Sequence, residues 1–183
     1  MPDWWWWVPV IVAICLVGLY LSMTAGRLDR LHRRIETSRY ALDLQLLRRS
    51  ALALDLASAG IFDPATTVVL ADAAHVARVA SDDDLVMRGL AESDLTRVFV
   101  AAIPDEHDAD ELRAMASDPS MLEDLRGICV RVQLSRRFHN DAVRACRQVR
   151  RQRLVRWLSL AGRTPWPHTM EMDDTPPPGL IAR

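Results

Sequence analysis

The chain has 183 residues, a formal net charge of −1 and 50% hydrophobic residues, which is enough for one membrane segment and about one domain. Glycine is scarce and strand-forming runs are few, so the composition argues against an all-β protein and predicts an all-α one. Three cysteines do not indicate a disulfide framework: Cys15 lies in an apolar segment, and Cys129 and Cys146 share one predicted helix at a separation of roughly 25 Å.

An apolar segment without charged residues runs from residue 4 to residue 23, after a short N-terminal segment 1–3. About twenty residues at helical rise span the bilayer hydrocarbon. The start lacks a basic residue and no good cleavage site follows, so the sequence favours an uncleaved transmembrane helix over a secretion signal. Four residues at its start are typical of a membrane interface: Trp4, Trp5, Trp6 and Trp7.

Four arginines follow this segment directly, within residues 27–34. Positively charged flanks stay in the cytoplasm, so we expect a single-pass protein of the cytoplasmic membrane with its N-terminus outside and its body inside. The lipid bilayer is therefore its first expected partner.

Apolar residues then recur at helical spacing over residues 28–56 and 121–158. If these two helices meet along their apolar stripes, Leu46 and Val143 are buried and Arg39 lies on the opposite face. Near Gly26 the first helix either continues from the membrane segment or breaks. The first stripe consists of Leu28, Leu31, Ile35, Leu42, Leu46 and Ala53, and the last of Leu125, Ile128, Val132, Val143, Cys146, Leu154 and Leu158.

Helix-start signals lie between the two stripes. Asp63-Pro64 predicts a helix start, Ser81 with Asp84 resembles a capping box, and Asp118-Pro119-Ser120 predicts the start of the longest helix, which could reach about Leu160.

Two segments carry no helical pattern. Residues 105–110 are predicted to form an acidic loop, and the Pro-rich acidic tail, residues 163–183, to be extended or disordered. These limits predict one helical domain over residues 27–162.

Two stretches resemble the LemA family. The first, over residues 28–49, reads LDRLHRRIETSRYALDLQLLRR and follows the anchor, as in the family's first cytoplasmic helix. The second, over residues 135–149, reads SRRFHNDAVRACRQV and is similar to a late family segment. The matching positions are Leu31, Arg33, Ile35, Asp43, Gln45, Leu46, Arg48 and Arg49, then Arg137, Phe138, Asn140 and Val143.

The chain departs from the family pattern at Leu54 and Asp55, where Pro-Asn is usual, and at His139, where Tyr is typical. The resemblance implies a divergent member with an antiparallel bundle of about four long helices. It implies a fold and a location more than a function. We therefore expect a non-enzymatic scaffold or interaction role, with a protein partner or a second copy of the chain.

Polar residues of the family-like motifs are one candidate site. Arg49, Arg136 and His139 fall inside apolar stripes, where buried polar groups need partners. They either form an interhelical polar layer that sets the helix register, or the arginines extend to solvent. The candidate layer comprises Asp43, Gln45, Arg49, Arg136, His139 and Asn140.

A cluster of arginines near the end of the last helix is the second candidate. It either forms a solvated or acid-paired helix face, or contacts anionic lipid, which would make the protein a peripheral regulator docking on a polyanion. Nucleic acid is disfavoured because Trp157 is the only aromatic residue among these arginines. The cluster comprises Arg144, Arg147, Arg150, Arg151, Arg153 and Arg156.

Histidines do not indicate an enzyme or a metal site. His139 has no predicted nucleophile or orienting group beside it, and the other four lack ligand spacing: His32, His75, His107 and His168. We therefore expect no catalytic residue, no metal and no cofactor.

Overall fold

The computed structural model describes residues 5, 7–81, 84–157, 162 and 164–181. It is 80% helical and has no strand in the described part, which confirms the all-α prediction. The described residues form six α-helices followed by one 3-10 turn at Pro178–Leu180. The helices are α1 (Trp7–Ser58), α2 (Pro64–Val79), α3 (Leu85–Ala102), α4 (Glu106–Met115), α5 (Ser120–Arg150) and α6 (Arg153–Trp157).

Helix α1 is 52 residues long and passes through Gly26 without a break, so the first helix continues from the apolar segment. It contains a window of 18 residues with a mean hydropathy of 2.2, of which only 6% is buried. No other helix in the described part of the chain is long and apolar enough to cross a membrane. Of the four expected interface tryptophans, Trp5 and Trp7 are exposed, and Trp4 and Trp6 lie outside the described residues.

Contacts group the chain into two compact units. Unit 1 comprises Met1–Thr37 and Asp141–Pro167, and unit 2 comprises Ser38–Asn140 and His168–Arg183. Each long helix, α1 and α5, therefore contributes one part to each unit.

In unit 1, the apolar stripe of α1 packs on the end of α5. Leu28 is buried with Cys146 and Val149, and Leu31 and Ile35 of α1 pack against them. Val143 is also buried, as predicted. The side chain of Leu154 and all of Leu158, the last two residues of the predicted stripe, lie outside the described residues.

In unit 2, the same two helices contribute to two apolar clusters. The smaller cluster joins Leu42 and Leu46 of α1, Ile128 and Val132 of α5, and Met170 of the tail. The larger draws residues from α1 to α5 and from the 3-10 turn, with Leu70, Leu95, Phe99 and Leu125 among them. Arg39 is half-buried, although we placed it on the outer face.

Two of the predicted helix starts are confirmed. The Asp63 carboxylate accepts hydrogen bonds from the Ala65 and Thr66 amides, at 2.9 and 3.2 Å, and caps α2. The Asp118 carboxylate accepts one from the Ser120 amide, at 2.9 Å, where α5 begins.

Other boundaries differ from the prediction. Residues 105–110 are not a loop: Asp105 caps α4, and Glu106 and Asp108 lie in its first turn, where acidic side chains stabilise the helix dipole. Asp84, rather than Ser81, caps α3. Helix α5 has 31 residues and is shorter than α1, which has 52, and it ends at Arg150 before the short α6.

Candidate functional site

Arg49 of α1 lies inside unit 2 and is only 2% exposed. Its guanidinium donates a 2.5 Å hydrogen bond to a carboxylate oxygen of Glu92 in α3 and a 3.0 Å bond to the Glu92 main-chain carbonyl. It also donates to the hydroxyl of Thr96, at 3.1 Å. Arg49 therefore binds one face of α3 through three contacts.

A second ion pair joins the same two helices. Arg88 of α3, also buried, lies 3.0 Å from the carboxylate of Asp43. The side-chain oxygen of Gln45 is buried and accepts no hydrogen bond from any described residue. Burial raises the pKa of the Glu92 carboxyl, and the positive charges of Arg49 and then Arg88 oppose that rise.

The polar layer thus lies between α1 and α3, whereas the sequence motifs had grouped α1 with the last long helix. The sequence motifs did not indicate its α3 members, which are Arg88, Glu92 and Thr96. Their spacing of four residues was a usable signal, since such residues share one helix face. A buried charge pair needs a partner with this geometry, because an isolated buried charge is strongly unfavourable.

The α5 members of the predicted layer bind the tail instead. Arg136 forms a bidentate pair with the Asp174 carboxylate, at 2.7 and 3.0 Å, and these hydrogen bonds raise the pKa of Arg136. Asn140 donates to the Met170 carbonyl at 3.0 Å and accepts from the Met170 amide at 2.9 Å. His139 is buried, with its ring nitrogen 3.4 Å from the hydroxyl of Ser38.

Helix α3 completes a binding surface for the tail, which we call the tail groove. It consists of side chains from α3 and α5: Ser93, Thr96, Gln133, Arg136 and Asn140. Thr96 donates to the Asp173 carbonyl at 2.8 Å, and the Asp173 amide donates to Ser93 at 2.9 Å. Gln133 donates to the Asp174 carbonyl at 2.9 Å.

Met170 of the tail and Gly89 of α3 determine how closely the tail fits the groove. The Met170 side chain is 2% exposed and packs on the apolar stripes of α1 and α5. Position 89 needs glycine because a Cβ there would collide with the carbonyl oxygen of Glu171. Residues 170–175 are therefore held by main-chain hydrogen bonds, one apolar anchor and one ion pair, and the described tail has no helix or strand up to Pro177.

A cavity of about 580 Å³ adjoins this segment at the start of α3. It is lined mainly by apolar residues of α3 and by polar residues of the tail, including Leu85, Val86, Leu90, His168, Thr169 and Glu171.

The arginine cluster of unit 1 divides into two sets. Arg147 donates to the Pro167 carbonyl, and Arg150 donates to the Thr164 and Pro165 carbonyls while lying 5.0 Å from the ring centre of Trp166. Arg144 pairs with Asp141 at 2.6 Å. The other three are exposed: Arg151, Arg153 and Arg156.

No group of three or more His, Cys, Asp or Glu residues with metal-site geometry occurs among the described residues. All three cysteines are free thiols. Comparisons with protein-family models, curated proteins and solved structures found no match to this chain.

Proposed function

We propose that this chain is a single-pass membrane protein of the LemA type, with a non-enzymatic scaffold or interaction role at the cytoplasmic membrane. The observation that carries the anchor is the apolar window of α1, of which only 6% is buried. A core helix of a soluble domain buries such a surface against its own chain, whereas a transmembrane helix places it in lipid.

The arginines after this window support an inside location for the rest of the chain. Arg27, Arg30 and Arg34 follow it within one helix, and a cluster of this kind remains on the cytoplasmic side. The N-terminus then lies outside, and the chain from residue 27 onward lies on the cytoplasmic side.

The antiparallel bundle and the LemA resemblance belong to the same proposal. The family-like stretches at residues 28–49 and 135–149 lie on α1 and α5. Within each unit the apolar stripes of these helices are in contact, as in a bundle of long helices.

A scaffold role is supported by how the polar motif residues are used. Arg49, Arg136 and Asn140 bind other parts of unit 2, so their donors and acceptors stabilise the fold. Buried polar pairs of this kind can set the register between helices.

Alkaline extraction of membranes, followed by intact mass measurement of the extracted protein, tests the anchor. The proposal predicts that the protein stays with the lipid pellet and keeps residues 4–23. Release into the supernatant, or a mature protein that starts after residue 23, would show a peripheral or secreted protein instead.

The alternative role, docking on anionic lipid, is favoured by a more specific set of residues than the sequence indicated. Arg151, Arg153 and Arg156 are exposed beside Trp157, which is 83% exposed. Basic residues near a negative leaflet contribute about 1 kcal/mol each, and an indole suits the interface.

Vesicle binding tests this alternative. The protein for this measurement is a variant whose apolar segment, residues 4–23, no longer inserts into lipid. We expect the change of Arg151, Arg153 and Arg156 to Gln to weaken binding to anionic vesicles, and added salt to weaken binding of the unchanged chain. The matched control changes Arg144, Arg147 and Arg150, which bind within the chain. A larger loss in the control, or equal binding to neutral vesicles, would rule out lipid contact by the exposed set.

A further inference from the structure

We propose that the tail groove is a binding site for a short extended acidic peptide, and that a second copy of this chain supplies that peptide in trans by tail exchange. The segment that binds is residues 170–175, which already occupies the groove within one chain. This inference concerns unit 2 alone and does not depend on membrane anchoring.

The tail groove binds mainly main-chain groups of the tail. Asn140 binds both the amide and the carbonyl of Met170, Gln133 binds the carbonyl of Asp174, and Ser93 and Thr96 bind the amide and the carbonyl of Asp173. These contacts are made with main-chain groups, which any peptide of the same backbone geometry presents. The groove therefore binds the tail through its main chain, as a binding site for a short peptide does.

Two side chains supply specificity. Met170 fills an apolar site formed by α1 and α5, and Asp174, four residues later, receives the bidentate pair from Arg136. Bidentate arginine–carboxylate pairs are strong and directional. A ligand must therefore have an apolar side chain and a carboxylate at this separation, as the tail does.

The identity of the two chains permits exchange. A second copy carries the same residues 170–175, so its segment can replace the chain's own segment in the groove while every contact is kept, which is the usual basis of domain swapping.

A charge-swap mixture tests the proposal on the full chain in detergent. The Arg136→Glu copy carries a native tail and an acidic groove, and the Asp174→Arg copy carries a basic tail and a native groove. Alone, each places like charges together. Mixed, each tail meets a groove of opposite charge, so we expect energy transfer between donor- and acceptor-labelled copies to rise at least about tenfold over either variant alone.

Two controls separate tail exchange from other association. The Arg136→Glu/Asp174→Arg double variant should recover the wild-type thermal midpoint, since its own tail and groove match. In a mixture of this double variant with the wild type, like charges meet only when a tail enters the groove of the other chain. Energy transfer in this mixture should therefore stay as low as for either single variant alone. An equal signal in both mixtures, or no signal in the first although the double variant recovers its midpoint, would overturn the proposal.

If the Arg136→Glu chain does not melt cooperatively, binding of a labelled tail peptide tests the proposal instead. A labelled peptide of residues 166–181 should bind the Asp174→Arg chain at least about tenfold more tightly than the wild type, whose own tail competes for the groove. Equal binding to both chains, or binding to neither, contradicts a groove that accepts the tail in trans.

Discussion

Arg49 of α1 and Glu92 of α3 form a 2.5 Å ion pair inside unit 2, and both side chains are at most 2% exposed. Removing one partner of a buried pair leaves an uncompensated charge, whereas replacing both with apolar groups does not. This relationship makes α1 and α3 mutually dependent.

A double-mutant cycle measures that dependence. We expect Arg49→Met and Glu92→Met each to lower the free energy of unfolding by about 3–5 kcal/mol, and the double variant to recover most of that loss. Chemical denaturation in detergent is the measurement. Additive losses in the double variant would mean that the two side chains are energetically independent.

The stability of the Arg49→Met variant should also depend on pH more steeply than that of the wild type. The Arg49 charge opposes the rise in the pKa of Glu92 that burial causes, so its removal raises that pKa further. A raised carboxyl pKa contributes stability at low pH, which is lost as the pH rises through the folded-state pKa. The deficit of Arg49→Met relative to wild type should therefore widen from pH 5 to pH 8. A constant deficit would contradict this expectation.

The α1 stripe can be tested with two neighbouring leucines. Leu46 is 1% exposed and Leu47 is 46% exposed. Leu46→Asp buries a carboxylate without a partner and should lower the thermal midpoint strongly. Leu47→Asp should change stability by about 1 kcal/mol or less. Because both variants place Asp in one helix, similar midpoints would mean that the stripe is not a core face.

Two helical glycines should respond with opposite sign to alanine. At Gly89 a Cβ collides with the Glu171 carbonyl, so Gly89→Ala should displace the tail and destabilise the chain by about 1–3 kcal/mol. At Gly127 the nearest atoms belong to the flexible Arg131 side chain, so Gly127→Ala should gain up to about 1 kcal/mol of helix propensity. Thermal melts of the two variants compare them directly. Stabilisation by Gly89→Ala would show that the tail is not held against α3.

Thiol labelling tests the core independently. Burial raises the pKa of Cys129 and of Cys146, so in a Cys15→Ser background neither thiol should react with a maleimide until the chain unfolds. Labelling followed by mass spectrometry across a denaturant series gives the answer. Rapid labelling of Cys129 under native conditions would place it outside the core.

Repetitive features were predictable from the sequence because they depend on local spacing. The stripes that contain Leu42, Leu46, Ile128 and Val132 were correct, since an amphipathic helix of this length buries its apolar face. The cap at Asp63 was correct because Asp-Pro favours the first helical turn.

Helix α4 was not predicted because its composition is acidic, although Asp105 caps it.

Features that depend on distant partners were also missed. The tail gave no sign of packing because Pro-rich acidic segments are commonly extended or disordered. Its binding rests on Met170 and Asp174 meeting Asn140 and Arg136, which lie 30 and 38 positions away along the chain.

The buried face of α3 was missed for a related reason. Val86 and Leu90 are exposed, whereas Arg88 and Glu92 are buried. Hydrophobicity alone would predict the opposite, with Val86 and Leu90 buried and the two charged residues exposed. The ion pairs with α1, together with the buried Leu95 and Phe99 on the same side of α3, make this face the inner one.

Topology measured with paired reporters tests the central claim, a single-pass anchor with the chain from residue 27 onward in the cytoplasm, most directly. One reporter that is active only in the cytoplasm and one that is active only outside are each fused after Arg183. The account predicts activity from the first and none from the second. Activity of the outside reporter would contradict the orientation, and recovery of the cytoplasmic reporter's activity in the soluble fraction would contradict the anchor itself.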